Sequence, residues 1–165
     1  MTLKGLIDTD IVNYRKTSMT LEFPICKNFK CDRECGRQVC QNSALATAPD
    51  IEVDVDKLIQ RYLDNPITKA IVCQGLEPMD SFGDLWLFLL KLRRTYQCQD
   101  DVVIYTGYTK EELMHRKGIS RILELRQFPN IIIKYGRFIP DQQPHYDEVL
   151  GVELASDNQY AEKIS

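Results

Sequence analysis

The stretch Phe23-Pro24-Ile25-Cys26-Lys27-Asn28-Phe29-Lys30-Cys31-Asp32-Arg33-Glu34-Cys35-Gly36-Arg37-Gln38-Val39-Cys40 carries four of the chain's six cysteines. Thiols used as small hydrophobes scatter with the core, so such crowding is not a packing pattern. The segment just upstream, residues 18–25, reads as a strand that runs straight into Cys26. A loop that brings several thiolates to one point at a strand end is what a metal ion or an iron–sulfur cluster requires. The gaps between successive cysteines are four, three and four residues. Structural zinc sites draw on paired Cys-x2-Cys knuckles, which this stretch lacks. Iron–sulfur loops use more varied spacings, so a cluster is the favoured reading and a zinc-stabilised binding module the alternative. Cys40 is expected to open a short helix over residues 41–46, whose N-terminus would lower the pKa of its thiol.

Working outward, apolar residues at helical spacing (Val55, Leu58, Ile59, Tyr62, Leu63) predict a helix over 54–63, ended by Asn65-Pro66. Residues 69–73 read as a short buried strand. Phe82, Leu85, Trp86 and Leu89 share one face of a second helix over 81–96. Residues 101–106 read as a strand ending at Gly107. Thr109-Lys110-Glu111-Glu112 is a capping box that opens another helix. Short helical turns are expected over 120–127, an apolar strand over 130–134 and a last strand over 148–153. Short strands alternating with helices predict an α/β fold with a mostly parallel sheet and right-handed crossovers. In such sheets the ligand site lies in the loops after the strand C-termini. The cysteine loop, Gln74-Gly75-Leu76-Glu77-Pro78 and Thr106-Gly107-Tyr108 all fall at such ends and are expected to face one cavity.

Neither small loop is decisive alone. Gly75-to-Pro78 reads as an ordinary turn with a solvated Glu77, or as a place where backbone approaches a ligand closely. Thr106-Gly107-Tyr108 reads as a plain strand end before a capped helix, or as a loop that touches a ligand. Arg137 is available to pair with a carboxylate. His115 and His145 sit in polar contexts away from the cysteines and are not read as metal ligands. Cys73, inside an apolar strand, reads as a core residue, and Cys98 has no assignment.

The chain has 165 residues, 44% of them hydrophobic, which fits one domain, 1–165, with a substantial core. A net charge of −3 carries no polyanion-binding signature, so nucleic acid is not an expected partner. No apolar run reaches membrane-spanning length, and the N-terminal residues lack a signal-peptide core. A cytoplasmic location follows as the expectation, where thiols stay reduced and clustered cysteines read as ligands rather than disulfides.

Several short motifs, collinear over residues 10–159, resemble the radical S-adenosylmethionine superfamily. The closest likeness is to the activating proteins of anaerobic ribonucleoside-triphosphate reductase. They are Asp10-Ile11-Val12-Asn13, Cys40-Gln41-Asn42, Gln74-Gly75-Leu76-Glu77-Pro78, Ile104-Tyr105-Thr106-Gly107-Tyr108, Gly136-Arg137-Phe138 and Ser156-Asp157-Asn158-Gln159. The chain departs from the family's Cys-x3-Cys-x2-Cys spacing, and Leu76 replaces the second glycine of its Gly-Gly loop. The resemblance implies a partial (β/α) barrel with the cluster loop after the first core strand. It implies a [4Fe-4S] cluster on three cysteines, with S-adenosylmethionine bound at the open iron and cleaved reductively. The radical so formed is directed at a glycyl radical enzyme, the large subunit of anaerobic ribonucleotide reductase, with a flavodoxin or similar reductant supplying the electron. The triad is Cys26, Cys31 and Cys40 if strand position decides, or Cys31, Cys35 and Cys40 if spacing does. Cys35 is then spare in the first case, or a fourth ligand, which would point to a non-catalytic electron carrier or redox sensor. Gly75 and Glu77 are implied to contact or shape the methionine side of the ligand site, and Thr106, Gly107 and Tyr108 the adenosyl side.

Overall fold

The computed structural model describes residues 1–27, 29–115 and 120–165. The chain opens with β1 (Thr2–Leu3), β2 (Gly5–Asp10) and β3 (Ser18–Phe23), then α1 (Lys30–Cys35), a 3-10 turn at Ser43–Ala46 and β4 (Ile51–Glu52). Next come α2 (Val55–Leu63), β5 (Ala70–Gly75), a second 3-10 turn at Pro78–Ser81 and α3 (Phe82–Leu90), which continues as a π-helical turn through Lys91–Thr95. The second half holds β6 (Asp101–Tyr105), α4 (Lys110–His115), α5 (Arg121–Leu125), β7 (Ile131–Tyr135), β8 (His145–Asp147), β9 (Val152–Leu154) and β10 (Tyr160–Lys163).

Six strands form one sheet in the order β10-β7-β6-β5-β3-β2. The four central strands, β3, β5, β6 and β7, are parallel, and the edges β2 and β10 are antiparallel to their neighbours. Helices link the parallel strands because a parallel pair needs a crossover rather than a hairpin. Side chains alternate across the sheet with the two-residue period of a strand. Ile71, Cys73, Val102, Ile104, Ile131 and Ile133 pack toward the helices, with Leu58, Ile59, Leu85 and Leu89. Ala70, Val72, Val103 and Ile132 pack on the other face, under Tyr14 and under Leu150 and Leu154 of the β8–β9 hairpin. The pattern continues to the strand ends, and Lys134 follows Ile132 on that second face.

Most expected elements are present, with instructive shifts. The strand expected over 18–25 ends at Phe23, since Pro24 lacks the amide that would continue the ladder. Leu63, expected on the apolar face of α2, is 42% exposed, whereas Val55, Leu58, Ile59 and Tyr62 are buried. The Asp54 side chain caps that helix by accepting from the Lys57 amide. Of the strand expected over 148–153 only residues 152 and 153 are strand, the start of β9; residues 148–151 are the turn joining β8 to β9, and the last strand is β10. The edge strands β2 and β10 went unforeseen because a strand with one neighbour keeps polar residues, as in Gly5-Leu6-Ile7-Asp8-Thr9-Asp10 and Tyr160-Ala161-Glu162-Lys163. Part of the turns expected over 120–127 forms α5. Cys73 is fully buried, as expected of a core residue. Cys98 is also buried, its carbonyl accepting from the Arg93 guanidinium at 2.7 Å. Among the described residues, no helix is long and apolar enough to cross a membrane.

Gly75 ends β5 at φ +96°, where a side chain is strained. A Cβ there would stand 2.7 Å from the Phe23 amide nitrogen and 2.9 Å from Glu22 Cα, both backbone atoms of β3. Gly75→Ala is therefore expected to destabilise the chain by on the order of 1–3 kcal/mol or more, read as a lower midpoint in urea unfolding.

Candidate functional site

A cavity of about 340 Å³ opens where the parallel strands end, and its wall includes Cys26, Cys31, Cys40, Gly75, Glu77, Thr106, Gly107, Tyr108, Lys134 and Arg137. The three loops singled out in the sequence thus meet at one place. Cys35, the last residue of α1, does not line the cavity. Burial pushes the Cys31 and Cys40 thiols up, and Cys26 acts electrostatically on both. The backbone at Phe138, beside Cys31, and at Asn42, beside Cys40, works the other way and holds the rise back. The helix expected to begin at Cys40 is absent. The chain forms a 3-10 turn from Ser43, and desolvation rather than a helix dipole dominates at Cys40.

The cysteine segment is tied down by polar contacts. Asp32 Oδ1 accepts from the amides of Val39 and Cys40, each at 2.7 Å, and so closes the loop behind α1. Asn42 Nδ2 donates to the Gly75 carbonyl at 2.7 Å, joining the cysteine segment to the end of β5. The Lys27 amide donates to Asp80 Oδ2 at 2.8 Å, and Tyr108 Oη donates to Asp80 Oδ1 at 2.9 Å. Lys30 Nζ stands 4.2 Å from the Tyr108 ring centroid.

Glu77 is buried, 4% exposed, and spends its carboxylate inside the protein. Oε1 accepts from the Met79 amide at 3.0 Å and from Thr106 Oγ1 at 2.8 Å, and Oε2 accepts from the Gly107 amide at 2.8 Å. Desolvation outweighs these bonds and pushes its pKa up to about 7. Glu77 is therefore the bridge between the β5 and β6 loops rather than a solvated turn residue. Lys134 also lines the cavity, and burial brings its ammonium down to about 8. Its Nζ donates to the Gly136 carbonyl at 2.8 Å.

These thiols share one pocket with a close backbone turn and two buried charged groups, and a match to known families accounts for them. Residues 25–159 match the family model of the 4Fe-4S single cluster domain. The chain belongs to that family. It is accordingly an iron–sulfur protein, and the zinc-stabilised alternative gives way. No match was found among curated proteins or among solved structures.

The donor set suits the 4Fe-4S domain's cofactor, because thiolates are the ligands of iron–sulfur clusters and backbone N–H groups commonly bond their sulfurs. Among the described residues, no three His, Cys, Asp or Glu side chains stand close enough to hold a single metal ion.

Several site residues escaped sequence reading. Asp80 and Lys134 gave no signal, since their roles come from contacts across the fold. Arg137 does pair with carboxylates, those of Glu112 and Glu34. Glu112 was legible only as part of the capping box, where it does accept from the Thr109 amide at 2.9 Å. Desolvation works to raise the Glu112 pKa, but bonds from Lys30, the Thr109 amide and Arg137 prevail and hold it down at about 2.

Glu77 makes stability depend on pH in a direction that can be tested. Its folded pKa of about 7 lies above the ordinary 4.5, so its contribution is full below pH 4.5 and is lost as the pH rises through about 7. Urea unfolding across this range should show a fall in stability that Glu77→Gln, neutral at every pH, does not share.

Proposed function

We propose that this iron–sulfur domain is a radical S-adenosylmethionine activating enzyme. The reading is carried by one observation: Cys26, Cys31 and Cys40 line the cavity and Cys35 does not. Three thiolates holding a four-iron cluster would leave one iron without a protein ligand, and Gly75, Glu77, Thr106, Gly107 and Tyr108 line the same cavity as those thiols. A reduced cluster bound there would supply the one electron needed for reductive cleavage of the sulfonium carbon–sulfur bond of S-adenosylmethionine, the chemistry by which a glycine of a partner would lose a hydrogen atom.

The chain's own residues bind, orient and shield. Cys26, Cys31 and Cys40 hold the cluster at the ends of the parallel strands. Gly75 gives a turn without a side chain, so backbone lies at the cavity surface beside the methionine moiety. Glu77 locks Thr106 and Gly107 at the adenosyl end, so that neither loop reorganises when ligand enters. Tyr108, fixed by Asp80 and covered by Lys30, packs the adenosyl side against water. The cavity volume lies at the lower end of the range of small-ligand sites.

The open sheet is read as a partial (β/α) barrel, whose free side admits a loop of a macromolecular substrate. The partner is a glycyl radical enzyme, the large subunit of anaerobic ribonucleotide reductase by the resemblance of the motifs, with a flavodoxin or similar reductant as electron donor.

Anaerobic reconstitution with iron and sulfide, followed by electron paramagnetic resonance of the reduced protein with and without S-adenosylmethionine, tests this. A [4Fe-4S] signal whose shape changes on adding S-adenosylmethionine is expected. An indifferent signal would mean four-thiolate ligation and an electron carrier. Cys26→Ala, Cys31→Ala and Cys40→Ala should each abolish both the spectral change and reductive cleavage to 5′-deoxyadenosine, while Cys35→Ala keeps both.

A further inference from the structure

Helix α1 carries Cys31 and Cys35, yet none of its residues is buried and its N-terminus has no side-chain cap. A helix of six residues is marginal on its own, and this one has no apolar face docked in the core. Ionic contacts take the place of packing. Lys30 Nζ bonds Glu112 Oε1 at 2.7 Å, and Arg137 Nη2 bonds Glu112 Oε1 and Oε2 at 2.8 and 2.9 Å. Arg137 Nε lies 3.4 Å from Glu34 Oε2, back on α1. The two charged ends of the helix are thus closed through one carboxylate on α4 and one guanidinium after β7. The Arg137 side chain is 9% exposed and Glu112 35%, so their two-pronged pair is partly sheltered from the screening that weakens surface ion pairs, whereas Glu34 is half exposed and its contact is the weaker one. The next residue along, Phe138, is the one whose backbone lies beside Cys31 and holds back the rise of its thiol.

We propose that Glu112 and Arg137 form a positioning clamp that docks α1, seats Cys31 and holds the Phe138 backbone beside its sulfur. The clamp rests on the ligation of the cluster by Cys31 and needs nothing of S-adenosylmethionine. Groups that orient metal ligands are worth about 10–100-fold in metal affinity. Hydrogen bonds to the sulfurs, in turn, set cluster potential.

The test uses the anaerobically reconstituted full chain, with Glu112→Gln and Arg137→Lys. Glu112→Gln keeps an acceptor for the Thr109 amide but loses the charge, and Arg137→Lys keeps the charge but loses the two-pronged geometry. Both variants are expected to hold iron about 10–100-fold less tightly than the unaltered chain in competition with a chelator. Both should also show a more negative midpoint potential, as the Phe138 backbone slackens. The sign matters for Glu112→Gln, because removing a negative charge by itself would raise the potential. Retention equal to the unaltered chain, or an upward shift, overturns the clamp. So does a lower unfolding midpoint of the apo chain with retention and potential unmoved, which would mark a merely structural role. Arg137→Lys carries the test alone if Glu112→Gln does not fold. Cys31→Ala, run alongside, separates the two readings: retention of the cluster there overturns the ligation, whereas loss there with tight retention in Glu112→Gln overturns the clamp only.

Discussion

A carboxylate taken out of water must be satisfied where it lies, and at Glu77 that constraint organises the whole strand-end surface. Leaving such a group without partners in the interior costs several kcal/mol. Glu77 finds its partners in Met79 of its own loop and in Thr106 and Gly107 of the next. The ends of β5 and β6 are thereby locked in register, and Tyr108 is carried to Asp80, which also holds the Lys27 amide just after Cys26. One buried acid thus links both small loops to the cysteine segment.

The two halves of the site are held by different forces. The floor, made by the ends of β3, β5, β6 and β7, is rigid because those strands are buried on both faces. The cysteine segment has little apolar anchorage. Its order comes from Asp32 closing the loop behind α1, from Asn42 reaching the Gly75 carbonyl, and from the ion pairs of Lys30 and Glu34 with the body of the protein. Polar tethers of this kind suit a segment that closes around a bulky inorganic group, because they set position without demanding a preformed apolar seat.

Membership of the 4Fe-4S single cluster domain family explains why the thiols gather, and the cavity explains where. The cavity also divides the cysteines in a way that spacing left open. Cys31 and Cys35 sit on the same short helix, four residues apart, yet only Cys31 reaches the cavity wall. Cys40 comes back to that wall because Asp32 turns the chain after Gly36, which ends α1 at φ +64°.

By itself the sequence determined the central helices and strands of the α/β sheet and the candidate loops. Those features are written in local periodicity: α2 shows it in Val55, Leu58, Ile59 and Tyr62, and β5 to β7 in runs of Ile and Val. It also determined that the thiols act together, since four cysteines in one loop have no packing explanation. Tertiary structure alone decided the edge strands β2 and β10, whose polar residues give no hydrophobic signal. It alone decided that Leu63 faces solvent and that Glu77 is buried, because exposure depends on what a neighbouring element covers. The bonds from Glu112 to Lys30 and Arg137 and from Asp80 to Lys27 and Tyr108 join residues 25 to 82 positions apart. No local pattern encodes such pairings, because each exists only once the strands have brought their loops to one end of the sheet.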